Sequence, residues 1–195
     1  DKVVSARNTM GKTKLMAEKF IMSVKKTKKT KISIIRFGNV IGSRGSVVPN
    51  FIKLLKDNKN ITVTDLKMTR FIMSLNEAVN SIFESIKIMK GGEIFILKSM
   101  KCFRIFDLAS SLVKYFNKKN RKKSKIILSK KNIGEKLEEE LYTREEIPFI
   151  EIKKKLFIIK KTKKNRNKNT INFLDRFRIS NYNFLKEKEI LKLLF

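Results

Sequence analysis

The stretch KISIIRFGNVIG, residues 31–42, has the pattern of a short buried strand that ends at Gly38. Its short, mostly apolar run is typical of a strand covered on both faces of a parallel sheet. The stretch TMGKTKLMAEKFIMSV, residues 9–24, precedes it and places apolar side chains at helical spacing, with Thr9 as a suitable N-cap. A helix joined by a short link to a buried strand is the alternation of a parallel α/β sheet.

The same alternation continues along the chain. Further helices are predicted from about Pro49, over residues 74–90 behind a Ser74–Glu77 capping box, over 104–116 and over 184–195. Strands are predicted at 61–65 and within 91–98, 125–130 and 156–161, and residues 134–146 combine a turn with an acidic helix. We find no internal repeat. This order predicts an α/β fold with a smaller appended lobe.

The charge balance is strongly basic, with 47 Lys and Arg against 18 Asp and Glu, a net charge of +29 and a pI near 10.3. Such an excess can serve nucleic acid or an anionic surface. The lysines, however, lie in tracts between apolar segments, at 25–31, 117–125 and 160–169, where solvated loops are expected. No aromatic side chains interleave with them for base stacking. We therefore expect no nucleic-acid partner and keep a basic binding module as the alternative.

The residue inventory restricts the chemistry. The chain has one cysteine, Cys102, and no histidine, so we expect no internal disulfide, no metal site and no histidine-based catalytic triad. Acid–base catalysis must then use Asp, Glu, Lys or Tyr. No apolar run reaches transmembrane length and no signal peptide is evident, so we expect a cytoplasmic protein.

The stretch MGKTK, residues 10–14, allows two interpretations. Gly-Lys-Thr ends a phosphate-binding loop, but such a loop needs an earlier glycine after a strand, and the preceding SARNTM has none. In dehydrogenases a tyrosine and a lysine one helical turn apart share a face of the active site. Met10 and Lys14 have this spacing. The spacing alone is unspecific, because any helix can contain it.

Five motifs occur in order along the chain: DKVVSxxNxMGxTKL (1–15), RFGNVxGSRGSVVP (36–49), MTRF (68–71), GGEIF (91–95) and GEKLxEEL (134–141). Together with the ending SNYNFLKEKEILKLL (180–194), they resemble the nucleotide-sugar 4,6-dehydratases of the polysaccharide biosynthesis (CapD-like) family. These are extended short-chain dehydrogenases, typified by UDP-N-acetylglucosamine 4,6-dehydratase. The resemblance is weakest over residues 151–178. It implies the C-terminal part of a Rossmann-like domain at 1–98, with a nucleotide-sugar loop at 43–72, and a smaller α+β substrate-binding lobe at 99–195.

The resemblance also implies a reaction and catalytic residues. The family uses NAD (or NADP) to oxidise C4 of the hexose, eliminates water across C5 and C6, and returns hydride to C6. Asp1 would then be the acid on the C6 oxygen, Lys2 the base at C5 and Lys14 the cofactor-ribose ligand. Met10 occupies the position of the usual tyrosine, and because methionine cannot take a proton, Asp1 is the leading base for C4 oxidation. A lysine can act as a base only when its pKa is lowered.

Binding residues follow from the same motifs. With Lys14, the implied cofactor-binding residues are Phe37, Gly38 and Val40. The implied substrate-binding residues are Asn39 on the diphosphate or sugar, the wrapping loop Ser43, Arg44, Gly45, Ser46 and Val47, Arg70 on the diphosphate, and Glu135 and Lys136 closing over the nucleotide. Without the resemblance, the Asp1–Lys2 pair would be interpreted as a surface pair at the end of a strand.

Two departures from the family qualify these expectations. Asn132 and Ile133 stand where the family has Arg-Pro, and Lys131 replaces an arginine poorly at a phosphate. The glycine-rich turn of a Rossmann fold is also missing. We therefore expect a fragment of a dehydratase that alone does not hold NAD firmly. Its partners would be a UDP- or GDP-linked N-acetylhexosamine and, in the intact protein, further copies of itself. An inert pseudoenzyme is a third possibility.

Overall fold

The structure, a computed structural model, describes residues 1–24, 29–98, 100–120, 123–160, 174 and 182–195. Its helices are α1 (Thr9–Ser23), α2 (Val47–Lys56), α3 (Leu75–Ile88), α4 (Ile105–Asn120) and α5 (Glu187–Leu194), with a 3-10 turn at Ile147–Phe149. Its strands are β1 (Ile34–Arg36), β2 (Asn39–Val40), β3 (Ile61–Val63), β4 (Thr69–Met73), β5 (Glu93–Leu97), β6 (Lys101–Arg104), β7 (Ile126–Leu128), β8 (Ile150–Ile152) and β9 (Leu156–Lys160).

Parallel strand pairs join segments that are distant in sequence. In the largest sheet, of order β1-β5-β9-β8, β1 runs parallel to β5 and the other two pairs are antiparallel. A second sheet pairs β2 with β4 in parallel and β4 with β6 in antiparallel orientation, and β3 pairs with β7 in parallel. Every residue of β5 is buried, as expected for a central strand. The predicted α/β class is therefore confirmed.

Two hydrophobic clusters hold the sheets and helices together. The first lies around β5 and β9 and includes Phe71, Phe95, Phe157 and Ile158. The second joins α2, α4 and α5 and includes Leu55, Phe103, Leu112 and Ile190. Both clusters combine residues from before and after residue 98. The division into units 1–98 and 99–195 stays a prediction.

Several predicted elements are confirmed, with altered ends. The capping box of α3 forms, because Glu77 N donates to Ser74 Oγ at 3.1 Å and Ser74 N donates to Glu77 Oε2 at 2.7 Å. The N-cap of α1 is Asn8, whose Oδ1 accepts from Gly11 N at 2.8 Å, and the expectation of Thr9 is wrong by one residue. Helix α4 continues to Asn120, into a tract that was predicted as a loop.

The acidic helix predicted within residues 134–146 is wrong, because this segment forms turns instead. In a helix, each carbonyl would accept from the N–H four residues later. Here the carbonyls of Lys136 and Leu137 accept from the Arg70 guanidinium at 3.1 and 3.3 Å. The carbonyl of Leu141 accepts from Arg36 Nη1 at 2.9 Å. These contacts with distant arginines replace the local helical bonds.

Parts of the three lysine tracts, and residues 180 and 181 of the closing motif, lie outside the described residues. Along the part of the chain that is described, no helix has both the length and the apolar character needed to cross a bilayer.

Candidate active site

The first two residues lie beside the end of β1. The backbone nitrogen of Asp1 donates to the carbonyl oxygen of Phe37 at 3.0 Å, and Lys2 Nζ lies 3.1 Å from Asp1 Oδ1. The Asp1 side chain is 8% exposed, whereas that of Lys2 is 50% exposed. The structure thus brings a sheltered carboxylate and a solvent-accessible ammonium into direct contact.

Gly11 explains how α1 reaches this pair. A Cβ on Gly11 would lie 2.9 Å from the carbonyl oxygen of Lys2 and 3.2 Å from Ala6 Cβ. Only glycine therefore lets the first turn of α1 pack against the segment that carries Asp1 and Lys2. Gly11 in Gly-Lys-Thr thus has a packing role that needs no bound phosphate.

A groove of about 800 Å³ runs between α1, the end of β1 and the loop before α2. The wall of this groove includes every residue predicted for catalysis or cofactor binding: Asp1, Lys2, Met10, Lys14, Phe37, Gly38 and Val40. Met10 and Lys14 are exposed on the same side of α1. Gly38 is buried, and its position needs a glycine because an added Cβ would lie 2.6 Å from Phe71 Cβ.

The loop before α2 forms the other wall of the groove, with Ser43, Arg44, Gly45, Ser46 and Val47. Ser46 N donates to Ser43 O at 3.1 Å, and Gly45 has a φ of +74°. Ser46 is also the N-cap of α2, but its Oγ is buried and has no hydrogen-bond partner among the described residues. A helix N-terminus with an unsatisfied hydroxyl is well suited to an anionic group.

A smaller cavity of about 250 Å³ shares Asp1, Lys2 and Asn39 with the groove. Its other lining residues are Arg7, Asn8, Arg70, Gly134, Glu135, Lys136 and Glu139. The predicted substrate-binding residues are therefore divided between two connected spaces, because the loop before α2 lines only the groove. Four cationic side chains and three carboxylates line the smaller cavity, so the charges on its wall are mixed, with one positive charge in excess.

Arg70 and Lys136 already have partners in the protein. Arg70 Nε lies 3.1 Å from Glu139 Oε1, and its Nη atoms donate to the carbonyl oxygens of Thr69, Lys136 and Leu137. Lys136 Nζ donates to the carbonyl oxygens of Asp1, at 3.0 Å, and Val4. Burial lowers the pKa of Lys136, because the charged ammonium loses part of its hydration inside the protein. Both cations therefore fasten the segment around Gly134 over the cavity.

Glu139 was not predicted as a site residue. Its carboxylate contacts Arg70 Nε through Oε1 and accepts from Asn39 Nδ2 through Oε2 at 3.0 Å. Burial raises the pKa of Glu139, against the opposing effect of Arg70. The motif GEKLxEEL contains only a weak signal for this role, because Glu139 precedes the buried Leu141 by two residues in a segment that forms turns.

A second buried cluster lies at the groove and was also not predicted. Arg36 Nε and Nη2 donate to Glu18 at 3.0 and 2.6 Å, and Nη1 and Nη2 donate to Glu146 at 2.8 and 2.7 Å. Glu18 lies one turn after Lys14 on α1, and Arg36 ends β1. The cluster therefore fixes the helix that carries Met10 and Lys14 against the strand that leads to Asn39.

The groove contains the residues that the resemblance implies for the nicotinamide and its ribose, Lys14 and those at the end of β1. The seven glycines of the sequence form no G-x-x-G-x-x-G turn for the pyrophosphate. Within the described ranges, no group of three or more His, Cys, Asp or Glu side chains could hold a metal ion.

The parallel strands and the groove beside α1 define a Rossmann-like class of dehydrogenase-related proteins. Residues 1–161 match the family model described as "Polysaccharide biosynthesis protein", and the chain belongs to this family. The family predicted from the five motifs is thereby confirmed.

Relatives in this family have several names. The chain is 42% identical over 175 residues to an uncharacterized membrane protein of Methanocaldococcus jannaschii, covering 87% of the chain and 52% of that protein. It is 41% identical to an inverting UDP-N-acetylglucosamine 4,6-dehydratase of Campylobacter jejuni, over 57% of the chain and 34% of the enzyme. It is 39% identical to a UDP-glucose 4-epimerase of Rickettsia bellii, over 75% of the chain and 42% of that protein.

Solved structures agree on the fold. Pen from Bacillus thuringiensis superposes with a TM-score of 0.81 at 37% identity, over 96% of this chain and 57% of that one. The dTDP-glucose 4,6-dehydratase of Bacillus anthracis, solved with NAD, gives a TM-score of 0.54 at 12% identity, over 67% of this chain and 42% of that one. The chain thus spans about half the length, or less, of the relatives it matches.

Proposed function

We propose that the chain supplies the catalytic and substrate-binding part of an NAD-dependent nucleotide-sugar 4,6-dehydratase that acts on a UDP-linked N-acetylhexosamine. The observation that carries this proposal is the groove of about 800 Å³ that joins the Asp1–Lys2 pair to Lys14. The same groove reaches the N-terminus of α2, where a diphosphate can be held. We further propose that the intact protein is a homo-oligomer, as the resemblance implies, and that it works in the cytoplasm.

The two residues at the start of the chain can move all the protons that the reaction needs. Asp1 takes the proton of the C4 hydroxyl and later gives it to the C6 oxygen, which leaves as water. Lys2 removes the proton at C5, which the C4 ketone has made acidic, and returns it there at the end. Bound NAD would accept hydride from C4 and return it to C6. The balance is the loss of one water, giving a 4-keto-6-deoxy sugar.

Substrate binding uses the two connected spaces. Ser46 Oγ and the first N–H groups of α2 suit the diphosphate, while Lys14 suits the cofactor ribose. Asn39 lies between the groove and the smaller cavity, so it is placed to contact the sugar or its phosphate. Methionine at position 10 lines the groove without offering a proton, which leaves the proton transfers to Asp1 and Lys2.

The test is to give the protein NAD and UDP-N-acetylglucosamine and to analyse the sugar product by mass spectrometry and NMR. We expect a 4-keto-6-deoxy product, and its formation should fall at least about 100-fold in Asp1→Asn, because general acid–base residues contribute about 10²–10⁴-fold. Since the chain spans only part of its relatives, the assay uses the 195-residue chain and any longer polypeptide that contains it. Bound NAD and bound substrate without such a product would refute the proposal.

A second candidate is a UDP-hexose 4-epimerase, because the Rickettsia relatives carry that name at 39% identity over 75% of the chain. The same product analysis separates the two, since an epimerase keeps the C6 hydroxyl. The basic binding module is tested by a salt titration of DNA binding. Tight binding at low salt that is lost steeply as salt rises would favour that module.

A further inference from the structure

We infer that Glu139 is a positioning residue of the smaller cavity, in which one carboxylate fixes both the Asn39 amide and the Arg70 guanidinium for the substrate. The carboxylate bridges the two side chains, at 3.0 Å to Asn39 Nδ2 and 3.1 Å to Arg70 Nε. All three residues line the cavity. The inference rests on the proposed function, because it takes this cavity as a substrate site.

The Asn39 amide has only one orientation that satisfies its neighbours. Asn39 Nδ2 donates to the carbonyl oxygen of Phe71 at 3.1 Å and to Glu139 Oε2 at 3.0 Å. The Phe71 carbonyl can only accept, so the nitrogen and not the oxygen of the amide must face it, and the same nitrogen faces Glu139. Both N–H groups of the amide are then used. The amide oxygen is the atom of Asn39 left to accept a hydrogen bond from a ligand hydroxyl or N–H.

Arg70 is held in the same way. Its Nη atoms donate to carbonyl oxygens on β4 and on the segment around Gly134, and its Nε lies 3.1 Å from Glu139 Oε1 in an ion pair. The three hydrogen bonds use both N–H groups of Nη1 and one of Nη2, so the second Nη2 N–H has no acceptor among the described residues and is left for a ligand. Loss of the Glu139 carboxylate would release the Nε end and let the guanidinium rotate about its side chain.

Burial of the Glu139 carboxylate costs free energy of desolvation. A carboxylate that is 8% exposed loses most of its hydration, and its two side-chain partners both belong to the cavity wall. The buried Glu18 carboxylate, by contrast, joins α1 to β1 through Arg36, so its contacts connect two elements of the fold. The role that accounts for this buried carboxylate is therefore the orientation of Asn39 and Arg70 in the cavity wall.

The first experiment needs no ligand. In the full chain, the Asn39 side-chain amide is followed by NMR in the wild type, Glu139→Gln and the matched control Glu138→Gln, whose side chain is exposed. We expect its hydrogen exchange to become about tenfold faster in Glu139→Gln, since a hydrogen bond to a charged group is lost, and to stay unchanged in Glu138→Gln. Exchange that is unchanged in Glu139→Gln would overturn the inference. Should that variant not fold, Glu139→Asp, which withdraws the carboxylate by one methylene, is measured instead.

The second experiment is a double-mutant cycle on the dissociation constant for UDP-N-acetylglucosamine, with thermal unfolding measured in parallel. We expect Glu139→Gln to bind about tenfold more weakly than the wild type, and to cause little further loss when Asn39→Ala is already present. Fully additive losses would overturn the inference, because Glu139 would then act independently of Asn39. A wild type that binds no nucleotide sugar would refute the proposed function and the positioning role, whereas binding with equal affinity in Glu139→Gln would refute the positioning role alone.

Discussion

Two arginines hold the segment of residues 134–146, and they do so differently. Arg36 is 5% exposed, and each of its five N–H groups has an acceptor, on Glu18, Glu146 or the Leu141 carbonyl. Arg70 is 14% exposed and meets one carboxylate and three carbonyls. Contacts within the protein use every N–H group of Arg36, whereas Arg70 has an Nη2 N–H at the edge of a cavity with no acceptor in the part of the chain that the structure describes.

The difference lies in what each cluster joins. The Arg36 cluster connects α1, the end of β1 and the turn at Glu146, so its loss would loosen three elements at once. The Arg70 cluster connects β4 to the segment that closes the smaller cavity. We therefore expect Arg36 to serve mainly stability and Arg70 mainly binding, and the following variants test this separation.

The largest effect is expected for Arg36→Met, which leaves the Glu18 and Glu146 carboxylates in the protein without their partner. Breaking a buried ion pair costs about 3–5 kcal/mol, and the free energy of unfolding should fall by about that amount in urea titrations. The control is Arg104→Met, whose side chain is 50% exposed and lies 3.9 Å from Asp107, with an expected loss below about 1 kcal/mol. Equal losses in the two variants would contradict the structural role of Arg36.

The next effect is expected for Gly134→Ala, in the segment that Arg70 holds. Gly134 has a φ of +79°, and an added Cβ would lie 3.1 Å from Asn8 Cβ. Left-handed backbone costs a non-glycine residue about 1–2 kcal/mol, and the close contact adds to this. The matched control is Gly45→Ala, with a φ of +74° and no atom within 4 Å of its Cβ. The free energy of unfolding, measured in urea titrations, should fall more in Gly134→Ala than in Gly45→Ala. The reverse order would show that this segment is not packed on α1.

Arg70→Lys should affect binding more than stability. Lysine keeps the charge but not the rigid fork, so it cannot contact Glu139 and the two segment carbonyls together. We expect a change in unfolding free energy of about 1 kcal/mol or less, and an affinity for UDP-N-acetylglucosamine that falls about tenfold. Calorimetric titration measures the affinity. A variant that loses stability but not affinity would move Arg70 into the same class as Arg36.

Much of the fold follows from local sequence pattern. Helix α3 was predicted with its capping box, because Ser74 and Glu77 satisfy each other within four residues. The buried strand β5 and the helix α1 were predicted from apolar periodicity. Strands β4, β6 and β8 were not predicted, because pairing with neighbouring strands, rather than a local pattern of side chains, determines them.

The residues of the candidate site could be predicted only in part from the sequence. Motif resemblance indicated Asp1, Lys2 and Lys14, which line one groove. It did not indicate Glu139, and the segment around this residue was interpreted as a turn and an acidic helix. The segment instead gives its carbonyls to two arginines that are far away in sequence. Contacts of this kind depend on the tertiary structure and leave no local periodic signal.

The smallest effect is expected in the pH dependence of stability that is due to Glu139, the carboxylate partner of Arg70. Burial raises the pKa of Glu139 above its ordinary value of 4.5, so the folded protein keeps this proton at pH values where the unfolded chain has released it. The free energy of unfolding contributed by Glu139 should therefore fall as the pH rises from 4.5 through the raised pKa, and then level off. In Glu139→Gln this fall should be absent, so the difference in unfolding free energy between variant and wild type should shift in favour of the variant as the pH rises. Urea titrations at intervals between pH 4.5 and 8 measure it, and a constant difference would mean that Arg70 keeps Glu139 ionised as fully as in the unfolded chain.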